Sequence, residues 1–224
     1  MTEIHTIAIK DLRFSWPKTQ SPIVAIDDWQ LRQGQRLFLY GRSGSGKSTL
    51  LNLIAGILEP QEGSIAIDGH NIVNMSQRQR DQFRAKNIGI IFQQFNLIPY
   101  LSVTDNIRLG QTFSACDYEH ERLLELVKKL DLNESVLLQQ ANQLSVGQQQ
   151  RVAVIRALYH RPKLIIADEP TSALDAETRD EFIQLLLEQS TANNSTVLFV
   201  SHDKNLAKHF DQQLDLNQLN QTKA

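Results

Sequence analysis

A chain of 224 residues, 41% hydrophobic and 21% charged, carries enough apolar material for one large domain with a sizeable core. A net charge of −2 and a pI near 6.3 exclude an overall basic field for nucleic acid, and the longest apolar runs fall far short of the ~20 residues a membrane span needs. The single cysteine, Cys116, excludes an internal disulfide framework and reads as an ordinary small side chain in a reducing compartment, and no basic-then-apolar leader opens the chain.

Residues 4–9 and 23–31 cluster Ile, Val, Trp and Leu at strand spacing, separated by a turn-rich loop from Trp16-Pro17 to Ser21-Pro22. Gln33-Gly34-Gln35 turns the chain into the apolar run Leu37-Phe38-Leu39-Tyr40. Next comes Gly41-Arg42-Ser43-Gly44-Ser45-Gly46-Lys47-Ser48-Thr49, which fits G-x-x-x-x-G-K-[ST], and then Leu50-Leu51-Asn52-Leu53-Ile54-Ala55 at helical spacing. The glycines let the backbone wrap an anion with successive N–H groups inward. Lys47 can reach the outer phosphates, and the Ser48 hydroxyl is placed for Mg²⁺. A strand before and a helix after, with the helix N-terminus facing the anion, distinguish this loop from a surface Gly/Ser turn and imply a nucleoside triphosphate.

Glu59-Pro60-Gln61-Glu62-Gly63 reads as a turn and residues 64–69 as a short strand with one exposed face. Residues 76–86 are polar and basic around Phe83 and read as a solvated helix; without interleaved aromatics they do not make a nucleic-acid patch. Ile88-Gly89-Ile90-Ile91-Phe92 is a short buried strand ending at Gln93. No strand pattern follows until Pro162: segments at 119–130 and 148–159 place leucine and valine at helical spacing, so the intervening stretch reads as a helical insertion in an α/β domain. Leu164-Ile165-Ile166-Ala167 then runs into Asp168-Glu169, a helix spans 176–189, and Thr196-Val197-Leu198-Phe199-Val200 runs into Ser201-His202-Asp203. The tail after Leu214 is polar, Asn/Gln-rich, and expected to add no further domain.

Three apolar strands thus finish on polar residues, and in a parallel α/β sheet ligands bind outside the carboxyl ends of the strands. Phosphoryl transfer needs charge neutralisation and a placed water more than covalent chemistry. Asp168 fits a carboxylate that holds Mg²⁺, Glu169 a group that orients and deprotonates water, Gln93 an uncharged contact to metal and water, and His202 a donor to the terminal phosphate. Taken singly, each is a weak signal: Gln93 and His202 read equally as a strand-end Gln and an ordinary His, while a capping Asp and a surface Glu are the minor readings of Asp168 and Glu169.

Leu144-Ser145-Val146-Gly147-Gln148, followed by Gln149-Gln150-Arg151-Val152-Ala153, resembles the signature LSGGQ-x-QRVA of ATP-binding-cassette (ABC) ATPases. Pro170-Thr171-Ser172-Ala173-Leu174-Asp175 resembles the passage from that family's Walker B strand into its D-loop, and Gln93 and His202 match its Q-loop and switch histidine. The resemblance covers essentially the whole chain. It implies an α/β P-loop NTPase fold with an antiparallel β-subdomain and an inserted helical subdomain: one domain over 1–224, with its core in 1–92 and 161–224 and the helical part at 93–160. It implies catalysis by Glu169, His202, Gln93 and Lys47, and Mg²⁺ held by Ser48, Gln93 and Asp168. ATP would be held by Trp16 and by Gly41, Ser43, Gly44, Ser45, Gly46, Lys47, Ser48 and Thr49. Ser145, Gly147, Gln148 and Asp175 would reach the nucleotide from an opposing subunit. Phe14 competes with Trp16 for the adenine-stacking role. Val146 departs from the usual glycine, adding bulk and narrowing the backbone's choices, which implies a slower site or a partner with an intact signature.

The family resemblance further implies a second ABC subunit, expected as a homodimer, around two ATP molecules, and integral membrane subunits docking near residues 94–107, with the chain peripheral on the cytoplasmic face of an inner membrane. Phe95, Leu97, Ile98, Pro99 and Tyr100 read either as a docking patch or as core. The segment 92–107 looks most like the lipoprotein-releasing and macrolide-exporter branch. A signalling ABC protein that controls a membrane partner, such as a cell-wall hydrolase, without moving a substrate is the alternative.

Overall fold

The computed structural model describes residues 4–17, 19, 21–42, 44–114, 117–172 and 176–221; Ser43, Cys116 and the D-loop residues Ala173, Leu174 and Asp175 lie outside them. The chain runs β1 (His5–Phe14), β2 (Val24–Arg32), β3 (Arg36–Tyr40), α1 (Lys47–Ile54), β4 (Glu62–Ile67), β5 (His70–Asn71), α2 (Gln77–Asn87) and β6 (Ile88–Ile91). It continues through α3 (Val103–Arg108), α4 (Gln111–Ser114), α5 (His120–Lys129), α6 (Val146–Leu158), β7 (Leu164–Asp168), α7 (Ala176–Ala192), β8 (Thr196–Val200), β9 (Gln212–Asp215) and α8 (Leu216–Leu219).

Two sheets form. β2-β1-β4-β5 is antiparallel, and β6-β7-β8-β3-β9 is parallel throughout. The parallel strands are near-continuous apolar runs because both of their faces are covered. Along β8, Val197 and Phe199 enter one core with α5, α6 and α7, while Leu198 and Val200 enter a second with α1 and the antiparallel sheet. Leu164 and Ile166 divide from Ile165 and Ala167 in the same way, which is the period-2 alternation of a strand. The two sheets are joined by a buried hydroxyl pair, Thr6 Oγ1 to Thr196 Oγ1 at 2.7 Å, and Thr196 also accepts from the Gly34 N–H at 2.9 Å.

Most expected elements form, with three corrections. β1 continues to Phe14 rather than ending near residue 9: a bulge, with Asp11 at φ 51°, interrupts its alternation without ending its pairing to β2 and β4. The helix over 77–87 forms behind a Ser76–Gln79 capping box, but it is not simply solvated. Arg80 is buried in an ion pair with Glu59, and Arg84 binds Asp81 and the carbonyls of Ala55 and Gly56. Residues just ahead of the polar tail supply an unexpected fifth parallel strand, β9, against β3, and in the tail Asn220 clamps β2 by accepting from the Ala25 N–H at 2.7 Å and donating to the Ile23 carbonyl at 2.8 Å.

Gly89 lets β6 lie directly on α6: a Cβ there would collide with the Ala157 carbonyl oxygen. Gly89→Ala is therefore expected to cost about 1–3 kcal/mol, as overpacking does. In a chain of this size that lowers the thermal midpoint by roughly 2–4 °C per kcal/mol, and an unchanged melting curve would contradict the close approach.

Candidate nucleotide site at the strand ends

The loop from Gly41 joins the buried end of β3 to α1. Gly44 and Gly46 take φ 78° and 94°, the left-handed conformations that a side chain would strain, and Gly46 caps α1 without a side-chain hydrogen bond. The first-turn N–H groups therefore face outward, ready for an anion. Lys47 Nζ donates to the carbonyls of Gly41 (2.9 Å) and Arg42 (3.0 Å), which folds its cation back over the loop. Ser45 and Thr49 flank it half-buried, while Ser48 is exposed.

In strand order, β7 stands between β6 and β8, and β8 stands beside β3. Gln93, Asp168-Glu169, Ser201-His202 and the loop thus leave one edge of one sheet. Ser48 Oγ lies 3.3 Å from Asp168 Oδ2. Burial pushes the Asp168 carboxyl above its ordinary range; the Ser48 hydrogen bond and the Lys47 charge oppose this, and the Glu169 charge adds to it. An oxygen pair that shares a partly desolvated acid is a hard-donor set suited to a magnesium ion. Glu169 has φ 48°, with its N–H bound to the Val200 carbonyl at 2.9 Å; its Oε2 accepts from His202 Nδ1 at 2.8 Å and from Ser201 Oγ at 3.4 Å. Gln93 is exposed, two residues beyond β6.

Ser201 was not singled out by sequence, although its place beside His202 at a strand end was the available signal. Neither was Arg179, which pairs with Asp203 at 2.5 Å and so secures the turn after His202. Phe14 and Trp16 form an edge-to-face pair with centroids 5.1 Å apart. Phe14 is 6% exposed and belongs to the core, whereas Trp16 is 43% exposed, so the ring with a free face is Trp16's.

Ser145, Gly147 and Gln148 open α6, and none of their hydrogen bonds among the described residues reaches the strand-end cluster. Ser145 and Gln148 form a reciprocal capping box, and a Cβ at Gly147 would meet nothing within 4 Å. Val146 is the first residue of α6, does not have a positive φ and is 55% exposed, so its added bulk faces solvent and its backbone is one a β-branched residue adopts without strain. Of the suggested docking patch, Phe95 is core, Leu97 is partly buried against it, and Pro99 and Tyr100 are exposed.

Comparison with known proteins identifies the family of the chain. The family described as "ABC transporter" matches residues 25–172. The chain belongs to the ABC transporter family. It is 37% identical over 209 residues to the ABC transporter ATP-binding protein MJ0796 of Methanocaldococcus jannaschii, covering 90% of this chain and 89% of that one. It is 33% identical over 224 residues to the lipoprotein-releasing system ATP-binding protein LolD of Pseudomonas fluorescens, covering 97% of each. The solved dimeric structure of MJ0796 bound to ADP and Pi superposes with a TM-score of 0.82 at 34% identity over 93% of both chains. This ABC protein is an ATP-hydrolysing subunit of a transporter, of the LolD-like kind.

Because its folded-state pKa is raised, Asp168 penalises folding at every pH above the unfolded value of about 3.8, and the penalty vanishes below it, where the carboxyl is protonated in both states. Asp168→Asn should therefore raise the melting temperature of the nucleotide-free protein at pH 7, lose that advantage as the pH falls to about 3.8, and abolish the stabilisation given by Mg-ATP. Scanning calorimetry across pH with and without Mg-ATP checks all three. Val146→Gly should leave ATP turnover within about twofold, a change of under ~0.5 kcal/mol in barrier; a large acceleration in a phosphate-release assay would restore Val146 as a brake.

Proposed function

We propose that two copies of this chain enclose two Mg-ATP molecules, each between the loop 41–49 of one copy and the Ser145-Gly147-Gln148 helix start of the other, and that closure drives membrane subunits. The observation that carries this reading is the pairing of Ser48 with Asp168 and of Glu169 with His202 at adjoining ends of one parallel sheet. Ser48, Asp168 and Gln93 hold the metal, and Lys47 leaves the loop carbonyls for the outer phosphates. Glu169 orients and deprotonates the attacking water. His202 donates Nδ1–H to Glu169, which leaves its Nε2 for the terminal phosphate, to whose oxygen a protonated Nε2 donates. Trp16 stacks on adenine through its free face. Ser43 and Asp175 join the nucleotide contacts on the strength of the sequence alone.

Residues 93–160 form the helical subdomain, and the membrane subunit docks against the face built around residues 94–107. Asn96 and Ile107 of that segment line an apolar groove of about 530 Å³ shared with α2, β6 and α6. No helix among the described residues is long and apolar enough to cross a membrane; attachment to the cytoplasmic face through the partner follows from the transport reading. Relatives named for lipoprotein release and for putative hemin import share this cassette, which supports a choice of cargo made by the membrane subunits.

Glu169→Gln should retain ATP binding, lose turnover by about 10²-fold or more as removal of a general base does, and elute as a dimer with ATP on size exclusion. Lys47→Ala should weaken ATP binding. A Glu169→Gln protein that stays monomeric in ATP would sink the two-copy arrangement.

A further inference from the structure

The turn that follows β9 touches both halves of the nucleotide site. Asp215, the last residue of β9, lies opposite Tyr40 at the end of β3, one position before the phosphate loop. It caps α8 by accepting from the Asn217 N–H at 3.0 Å, and the fully buried Leu216 follows it against the loop. A Cβ at Gly41 would stand 3.4 Å from the Leu216 Cβ, so the turn is in van der Waals reach of the first glycine of the loop. Asn220 ends α8, its N–H bound to the Leu216 carbonyl at 2.7 Å.

Asn220 is buried, and both ends of its amide are spent on the main chain at the start of β2. Its bonds from the Ala25 N–H and to the Ile23 carbonyl are the pair a neighbouring strand would make, and the Gln221 N–H adds a third at the Ala25 carbonyl, 2.8 Å away. Ile23 reaches in two further directions. Its N–H donates to the Phe14 carbonyl at 2.8 Å, and Phe14 holds Trp16 edge-to-face. Its carbonyl oxygen would lie 3.1 Å, and its side chain 3.2 Å, from a Cβ at Gly46, the last glycine of the loop. One buried amide thus fixes a short segment that abuts the phosphate loop on one side and, through Phe14, the Trp16 ring on the other.

We propose that residues 215–221 are a strap that holds the aromatic platform at 14–16 and the phosphate loop at a fixed separation, and that Asn220 is the positioning residue of that strap for adenine nucleotides. The inference rests on the roles given above to Trp16 and to the loop, and deepens them. A nucleotide joins base and phosphates through one ribose, so it engages two subsites at once, and the gain from the second contact depends on their spacing being set in advance. Phosphate alone uses one subsite and is indifferent to the spacing. By the reciprocity of linked equilibria, a nucleotide that spans both subsites also tightens the strap.

The test compares Mg-ADP, which undergoes no turnover, with inorganic pyrophosphate in titration calorimetry of the full-length chain, well below every variant's melting midpoint. Asn220→Ala should weaken ADP about tenfold and pyrophosphate less than about twofold, as loss of a fixed spacing between two linked subsites does. Asn220→Asp keeps the acceptor for Ala25 and loses the donor to Ile23, and should fall between. A side chain that served stability alone would leave both affinities unchanged at that temperature. In the native chain, ADP should slow amide exchange at Ala25 and Gln221 by about threefold or more, while pyrophosphate leaves it unaltered. Equal weakening of both ligands, an unchanged ADP affinity, or exchange at Ala25 and Gln221 that ignores ADP would each overturn the proposal, and the last is read without any variant. Trp16→Ala separates the strap from the reading beneath it. If Trp16→Ala keeps the advantage of ADP over pyrophosphate, the aromatic platform falls and the strap's role with it; if Trp16→Ala loses that advantage while Asn220→Ala keeps it, the strap alone is overturned.

Discussion

The hydrogen bonding of β7 between two parallel neighbours is the constraint on which the site depends. Ala167 sits opposite Ile91 on one side and Phe199 on the other, and Asp168 opposite Val200. Because all these strands run the same way, their polar successors emerge at a single edge, and β3 delivers the phosphate loop there as well. The left-handed turn at Glu169 belongs to the same constraint: its N–H remains tied to Val200, so the chain must swing its carboxylate across the end of β8, where Ser201 and His202 meet it. Sequence positions more than thirty residues apart become one proton-sharing pair because two strands are in register.

The parts of this protein that sequence made legible are those in which chemistry and packing demand the same residues. The phosphate loop needs glycine at left-handed positions, and β7 and β8 need unbroken apolar runs because both faces are buried. The parts that were hidden are those in which the main chain does the work. β9 pairs with β3 through backbone groups while Gln212 and Gln213 are exposed, so their polarity says loop and their hydrogen bonds say strand. The arginines of α2 illustrate a different limit. A run of basic residues looks the same whether solvated or paired, and Arg80 is buried because Glu59 lies across from it at a distance in sequence that no local pattern reveals. Phe14 and Trp16 were equivalent as aromatic residues; only the depth of β1 in the core separates them.

Asp168 at the sheet edge stands against its own burial. It leaves the folded chain less stable than a neutral substitute would, and it favours a cation. Stability given up there is regained when a cation binds, whereas Arg80 already has its counter-charge in Glu59.

The packing of Gly89 against Ala157 has a mechanical consequence. With no side chain between them, β6 and α6 lie in backbone contact, and α6 is a single uninterrupted rod from Val146 to Leu158. Thirteen residues span about 20 Å at 1.5 Å each, so a tilt of only about 5° about one end displaces the other by roughly 1.7 Å. The signature residues ride on the front of that rod, and the backbone contact with Gly89 lies at its rear, at Ala157. A tilt about this contact leaves the rear of α6 in place and carries Ser145, Gly147 and Gln148 through most of the displacement, so the absence of one methyl group sets where the helix pivots.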